Sequence, residues 1–109
     1  MTYNPGKMRE RVIIKRLSES RISGEIINVW ATLATVWAEV VPRGSRESYR
    51  QSQVMSELEY LVRIRRYDGL TTKDRVTWGT RTLEVVGVVE IMADNTEVTE
   101  LYCVEVDHG

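Results

Sequence analysis

The sequence predicts an all-β fold, a small antiparallel β-barrel or curled sheet of about six strands, with one short helix in a crossover segment. Three observations carry that reading. Leu58, Tyr60, Val62 and Ile64 alternate with Glu59, Leu61, Arg63 and Arg65, the period of a half-buried strand. Turn formers recur between the apolar runs, at Asp68-Gly69, Gly79-Thr80 and Asp94-Asn95-Thr96. The chain has 109 residues, room for one core, and closing so small a sheet removes its exposed edges.

The elements follow in order. Residues 1–8 contain Asn4-Pro5-Gly6, a turn-forming cluster, and read as an N-terminal arm. The barrel domain then takes residues 9–106 and leaves 107–109 as a C-terminal tail. Strand one covers about Arg9 to Leu17. Ser18 to Glu25 is polar, includes Gly24, and reads as a hairpin connection or a mobile loop. Strand two, Ile26 to Val41, is too long to run undisturbed, so a bend or bulge is expected near Ala31-Thr32-Leu33-Ala34. Its second half puts Val36, Ala38 and Val40 on one face and Trp37, Glu39 and Val41 on the other, and Pro42 closes the run.

Pro42 to Gln53 breaks the β pattern. Arg43-Gly44-Ser45 supplies a turn, and Ser45 can open a short helix through about Val54. The segment holds Arg43, Arg46 and Arg50 against one acid, Glu47, and its apolar stripe of Tyr49, Val54 and Met55 is weak. It reads either as a solvated helix on its own barrel or as an outward contact. Strand three follows, then strand four from Arg75 to Trp78, with Gly79-Thr80 as a tight two-residue connection. Strand five spans Arg81 to Ile91, with Gly87 marking a bulge or corner. Strand six spans Glu97 to Val106, with Leu101 and Cys103 on one face and Val98, Tyr102 and Val104 on the other. Val62, Ile64, Leu101 and Cys103 are the expected core. Trp37 and Trp78 are expected as at least partly buried anchors, because both sit inside strand runs.

Composition narrows the function. The apolar share is 42% and the charged share 28%, ordinary for a globular domain and unlike a membrane protein. No apolar run of about 18 residues occurs, and Met1 to Gly6 does not resemble a signal peptide, so a cytoplasmic origin is expected. Cys103 is alone, which rules out a disulfide within the chain and leaves it as a buried structural thiol. With His108 the only histidine, no cysteine–histidine metal cluster and no triad can be assembled. Glu84, Glu90, Glu97, Glu100 and Glu105 lie on alternating strands, the setting of solvated sheet faces rather than of a carboxylate pair. Gly69, Gly79 and Gly87 lack phosphate-cradling spacing. No catalytic, metal or cofactor site is therefore expected. Arg63, Arg65, Arg66 and Tyr67 at one strand end raise a different possibility, an OB-like binder of single-stranded nucleic acid. Against it stand a net charge of −1 and the absence of an aromatic stripe along one strand face.

Taken in order, Gly6–Ile14, Ala34–Pro42, Tyr60–Arg66 and Val76–Val88 resemble the head–tail joining proteins of tailed bacteriophages, the head-closure, stopper or head–tail adaptor family. The resemblance runs from about Gly6 to Val106. It implies a barrel fold and a structural role in the virion neck, in a protein made in the host bacterial cytoplasm. Such proteins form a six- or twelve-fold ring below the portal, hold packaged double-stranded DNA and give the tail its platform. The implied partners are portal or adaptor rings above and tail or tail-completion proteins below, with no membrane; a tail-completion protein is the alternative in the same class. Within that frame Arg43, Arg46, Glu47, Tyr49 and Arg50 become the candidate contacts to the ring lumen or to a partner. In these proteins the loop at Ser18 to Glu25 is usually richer in Gly; here Ile22, Ile26 and Ile27 intrude.

Overall fold

Six strands form among the described residues, and each pairs with two neighbours: β1 (Glu10–Ile22), β2 (Glu25–Arg50), β3 (Gln53–Arg65), β4 (Arg75–Trp78), β5 (Arg81–Ala93) and β6 (Thr96–Val106). The computed structural model describes the backbone of residues 8–50, 53–93 and 95–106, and the side chains of 8–44, 58–92 and 95–106. Every ladder is antiparallel, and the order β1-β2-β3-β6-β5-β4 returns to β1, closing the sheet as a barrel. Closure leaves no edge around the barrel wall. The arm residues 1–7, the tail 107–109 and with it His108 lie outside the described residues.

Alternation places the core. Val12 and Ile14 of β1, Val62 and Ile64 of β3, Val76 of β4 and Leu83 of β5 are fully buried inside the ring. Leu101 and Cys103 of β6 join them, as their shared face requires. Burial also pushes the Cys103 thiol up to about 12, which keeps it protonated and unreactive at neutral pH.

Three bulges bend the strands around this core. The first drops Leu33 out of register, since Ile14 pairs with Ala34 and Lys15 with Thr32. That is within the stretch where the length of strand two demands a break. The second sets Arg43 aside between the pairs Pro42–Tyr60 and Gly44–Glu59, and the third sets Val86 aside next to Gly87.

The expected helix is absent: the described residues contain none. From Gly44 to Arg50 the chain continues as β2 and pairs with β3 from Glu59 back to Gln53. The hydrogen bonds that a helix would have made within itself go to the neighbouring strand instead. A two-stranded ribbon beyond the β1 and β6 pairing has no barrel interior to face, so it needs no one-face apolar pattern and its sequence carries no strand signature.

The segment Ser18–Glu25 is likewise mostly strand. β1 runs on to Ile22 and pairs back through Ile22–Glu25, with Ser23 and Gly24 as the turn. Their φ angles are 54° and 82°, the two positive values that a type I′ hairpin turn requires. The intruding isoleucines belong to paired strands.

Trp37 departs from expectation, with 55% of its surface exposed. Ala38 is fully buried, so period two turns Trp37 outward beside Glu39. There it stacks under the Arg11 guanidinium, 4.7 Å from the ring centroid. Trp78 does pack against the core, edge-to-face with Tyr60 at 5.6 Å, while its indole N–H donates to Glu10 at 3.1 Å. Trp37→Ala should therefore lower unfolding free energy by less than about 1 kcal/mol, the scale of an exposed cation–π contact. Urea titration of the variant checks this, and a loss near 3 kcal/mol would mean that the ring is buried after all.

Candidate assembly surfaces

The barrel wall is short, but two ribbons outrun it. β4 pairs with β1 only from Ile13 to Lys15, and β3 pairs with β2 only from Ala38 onward. Residues 16–31 therefore leave the barrel as a β1–β2 ribbon held by its own ladder. At the other end of β2, β1 pairing stops at Ala38 and β6 pairing with β3 starts at Glu59, so 44–50 and 53–58 form a second ribbon from β2 and β3. The two ribbons leave opposite ends of the barrel, because β2 runs from one into the other.

The sequence-derived contact residues belong to the second ribbon. Arg43 sits at its root as the bulged residue, exposed, with its guanidinium 5.1 Å from the ring centroid of Tyr102. Arg46, Glu47, Tyr49 and Arg50 follow on β2, in register with Glu57, Ser56, Val54 and Gln53 respectively. Their side chains lie outside the described residues.

The basic cluster at the end of β3 is largely neutralised. Arg63 donates from Nε to Glu100 at 2.7 Å and from Nη1 to Glu39 at 3.0 Å, on the outer barrel face. Arg66 reaches Asp68 at 2.9 Å and Glu97 at 3.0 Å. Tyr67 packs against the core, and its backbone N–H donates to Thr99. Of the four residues that suggested a nucleic-acid face, only Arg65 stands exposed without an ion pair to another described residue. That is too little to track a phosphate backbone.

A polar lock, not legible in advance, supports the root of the β1–β2 ribbon. Asp74 is 2% exposed. It accepts from Arg16 Nε at 2.8 Å, from Arg16 Nη2 at 3.0 Å and from the Thr71 backbone N–H at 2.9 Å. Arg16 Nη2 also donates to the Gly69 carbonyl at 2.8 Å, so the loop between β3 and β4 is tied to β1. Burial alone would raise the Asp74 pKa; the Arg16 and Thr71 hydrogen bonds outweigh it and hold the carboxyl below its ordinary value. The one hint in the sequence is the Thr71–Asp74 spacing, a turn in which a carboxylate caps its own backbone.

A second network closes the opposite end. The Tyr60 hydroxyl accepts from Arg81 at 2.8 Å and donates to Glu105 at 3.2 Å, joining β3, β5 and β6. Burial and then Glu105 raise the Tyr60 pKa, so the phenol stays protonated and works as a staple. Among the described residues, no group of three or more His, Cys, Asp and Glu side chains is placed to hold a metal ion. What this surface offers is projecting ribbons, paired charges and exposed apolar side chains, the materials of contact with other chains.

Comparison with known proteins agrees with that description. A family model described as phage head completion protein matches residues 3–106. No curated protein matches the chain. Among solved structures, a chain of the virion of a native gene transfer agent particle superposes with a TM-score of 0.69 at 15% identity, covering 90% of this chain and 94% of that one. Protein SF1141 from Shigella flexneri 2a, solved in solution, gives 0.67 at 23% identity over 98% and 100% of the two chains. At these identities the two structures establish a shared fold. The family match covers nearly the whole chain, and the protein belongs to the phage head completion protein family.

Proposed function

We propose that this protein is the head-closure component of a phage neck. Its copies form a six- or twelve-fold ring between portal and tail, retain packaged double-stranded DNA, and present the platform on which the tail assembles. Its activity is assembly, not catalysis. Family membership supports a virion role. The observation that carries the finer reading is the β2–β3 ribbon, which extends past the barrel and carries Arg43, Arg46 and Arg50 on β2.

A rigid barrel with a projecting ribbon suits that job. β2 carries three arginines against one acid from 43 to 50, beyond its pairing with β1, which ends at Ala38. In a ring they recur in every copy, and weak contacts to phosphates or to a neighbour's carboxylates sum to a useful barrier. Mobile DNA under pressure is then held by many small terms rather than by one strong site.

Replacing Arg43, Arg46 and Arg50 together with Ser tests this reading. The isolated variant should stay folded, within about 1 kcal/mol of the parent, since the contact of Arg43 with Tyr102 is a surface cation–π pair. Particles built with it should lose DNA or fail to complete their necks. Full infectivity of those particles would defeat the proposal.

A further inference from the structure

The exposed Trp37 is one member of a row on the outer barrel face. Val12, Ala38 and Ile64 are fully buried, so period two turns Arg11 of β1, Trp37 of β2 and Arg65 of β3 outward. Arg11 is the register partner of Trp37. Trp37 and Arg65 each stand one residue past the Ala38–Ile64 pair, toward the same end of the ladder. Two guanidinium groups therefore flank one indole, and that of Arg11 lies 4.7 Å from the ring centroid. Beside them opens a cleft of about 430 Å³, lined by Met8, Arg9, Trp37 and Arg65.

This row is short of negative charge. Elsewhere on the wall arginines end on carboxylates: Arg63 on Glu39 and Glu100, Arg66 on Asp68 and Glu97, Arg81 on Glu105. Neither Arg11 nor Arg65 has an ion pair with another described residue. The carboxylates near them in sequence are engaged. Glu39 accepts from Arg63 at 3.0 Å, and Glu10 accepts from the Trp78 indole N–H at 3.1 Å. Across the β3–β6 ladder Arg65 meets Val98, an apolar residue. Arg9, also exposed, brings a third guanidinium to the cleft.

Positive charge around an exposed indole sets the chemistry of what fits there. Arginine grips a carboxylate with two parallel hydrogen bonds, and tryptophan offers a large rigid apolar face; both are the side chains on which interfaces concentrate their energy. The volume is at the small end for a ligand pocket, room for one or two side chains rather than for a run of nucleotides. The chain's own arm does not suit the cleft, since residues 1–7 contain no Asp or Glu. Glu39, Glu97, Glu100 and Glu105 are held by arginines of the same chain, which points to a different protein as the source of the missing charge.

We infer that this cleft receives an acidic segment of another neck protein, its carboxylates on Arg11 and Arg65 and an adjacent apolar side chain against Trp37. This rests on the neck reading above and names one surface that serves it. Arg65 ends β3, whereas the β2–β3 ribbon takes its beginning, so the two surfaces can be occupied at once.

Assembled particles carrying Arg65→Lys test it, because the substitution keeps the charge and supplies an amine. A water-soluble carbodiimide should then join position 65 to an Asp or Glu of another neck protein, mapped by mass spectrometry of the digested particles. Parent particles should lack that link. Separately, Arg11→Glu combined with Arg65→Glu should cut the yield of tailed, DNA-filled particles by about ten-fold or more, because like charges then face each other in every copy. Both positions are exposed, so the isolated variant should keep the parent's urea midpoint. Tailed, DNA-filled Arg65→Lys particles without the link, or with it only to a second copy of this chain, would overturn this inference and leave the neck reading standing. Full particle yield from the charge-reversed protein would do the same. So would oligothymidylate binding by the isolated protein that the reversal abolishes, which would assign the cleft to nucleic acid. Parent particles found to lack this chain would overturn both readings.

Discussion

Leu101→Ala should lower the unfolding free energy by about 2–5 kcal/mol, the range for emptying a leucine-sized volume in a tight core. Leu101 is fully buried at the centre of β6, between Val62 of β3 and Val88 of β5. A closed barrel has little freedom to collapse into the gap, because each strand is held on both sides by its ladders. The loss is a large fraction of the roughly 5–15 kcal/mol that stabilises an ordinary domain. Urea titration should show the midpoint falling with little change in slope. A change below about 1 kcal/mol would place Leu101 outside the core.

Asp74→Ala should cost about 2–3 kcal/mol through a different mechanism. The carboxylate is buried, and removing it orphans the Thr71 N–H and strips Arg16 of two hydrogen bonds. Arg16 is 44% exposed at the side chain and can turn to water, which keeps the loss below that of a fully buried pair. The pH dependence has a fixed sign. Asp74 has a folded pKa below its ordinary 3.8, so its contribution is full above that value and disappears as pH falls through the folded pKa. The parent should lose stability below about pH 4 more steeply than Asp74→Asn. Parallel acid profiles for the two proteins would show that the pair contributes nothing.

The barrel was readable wherever one strand face meets the core and the other meets water. Alternation from Tyr60 to Ile64 put Val62 and Ile64 inside, where they are fully buried. Gly79-Thr80 fell between strands that pair through Trp78–Arg81, and Asn95 fell between β5 and β6, which pair through Ala93–Thr96. Excess length flagged the bulge at Leu33, and Gly87 flagged the one beside Val86.

The ribbons were not readable, for a physical reason. Beyond the barrel a two-stranded ribbon has no core face, which removes the need for a period-two pattern and leaves the ladder itself as the cause of the strand. Hence Ser45–Val54 looked helical and Ser18–Glu25 looked like a loop. Trp37 shows a different gap: its parity with Glu39 was visible in the sequence, but its size suggested burial. Parity decided, because Ala38 holds the inward position. Candidate contacts Arg43 to Arg50 were readable as a charge excess, whereas the row of Arg11, Trp37 and Arg65 emerged only once pairing set three strands side by side.

The most direct measurement is made on particles from a strain lacking this protein. Electron microscopy and a nuclease-protection assay should show heads that fill with DNA and then release it, or that fail to acquire tails. Supplying the full chain in trans should restore tailed, DNA-filled particles. Normal infectious particles in its complete absence would contradict head closure as its function.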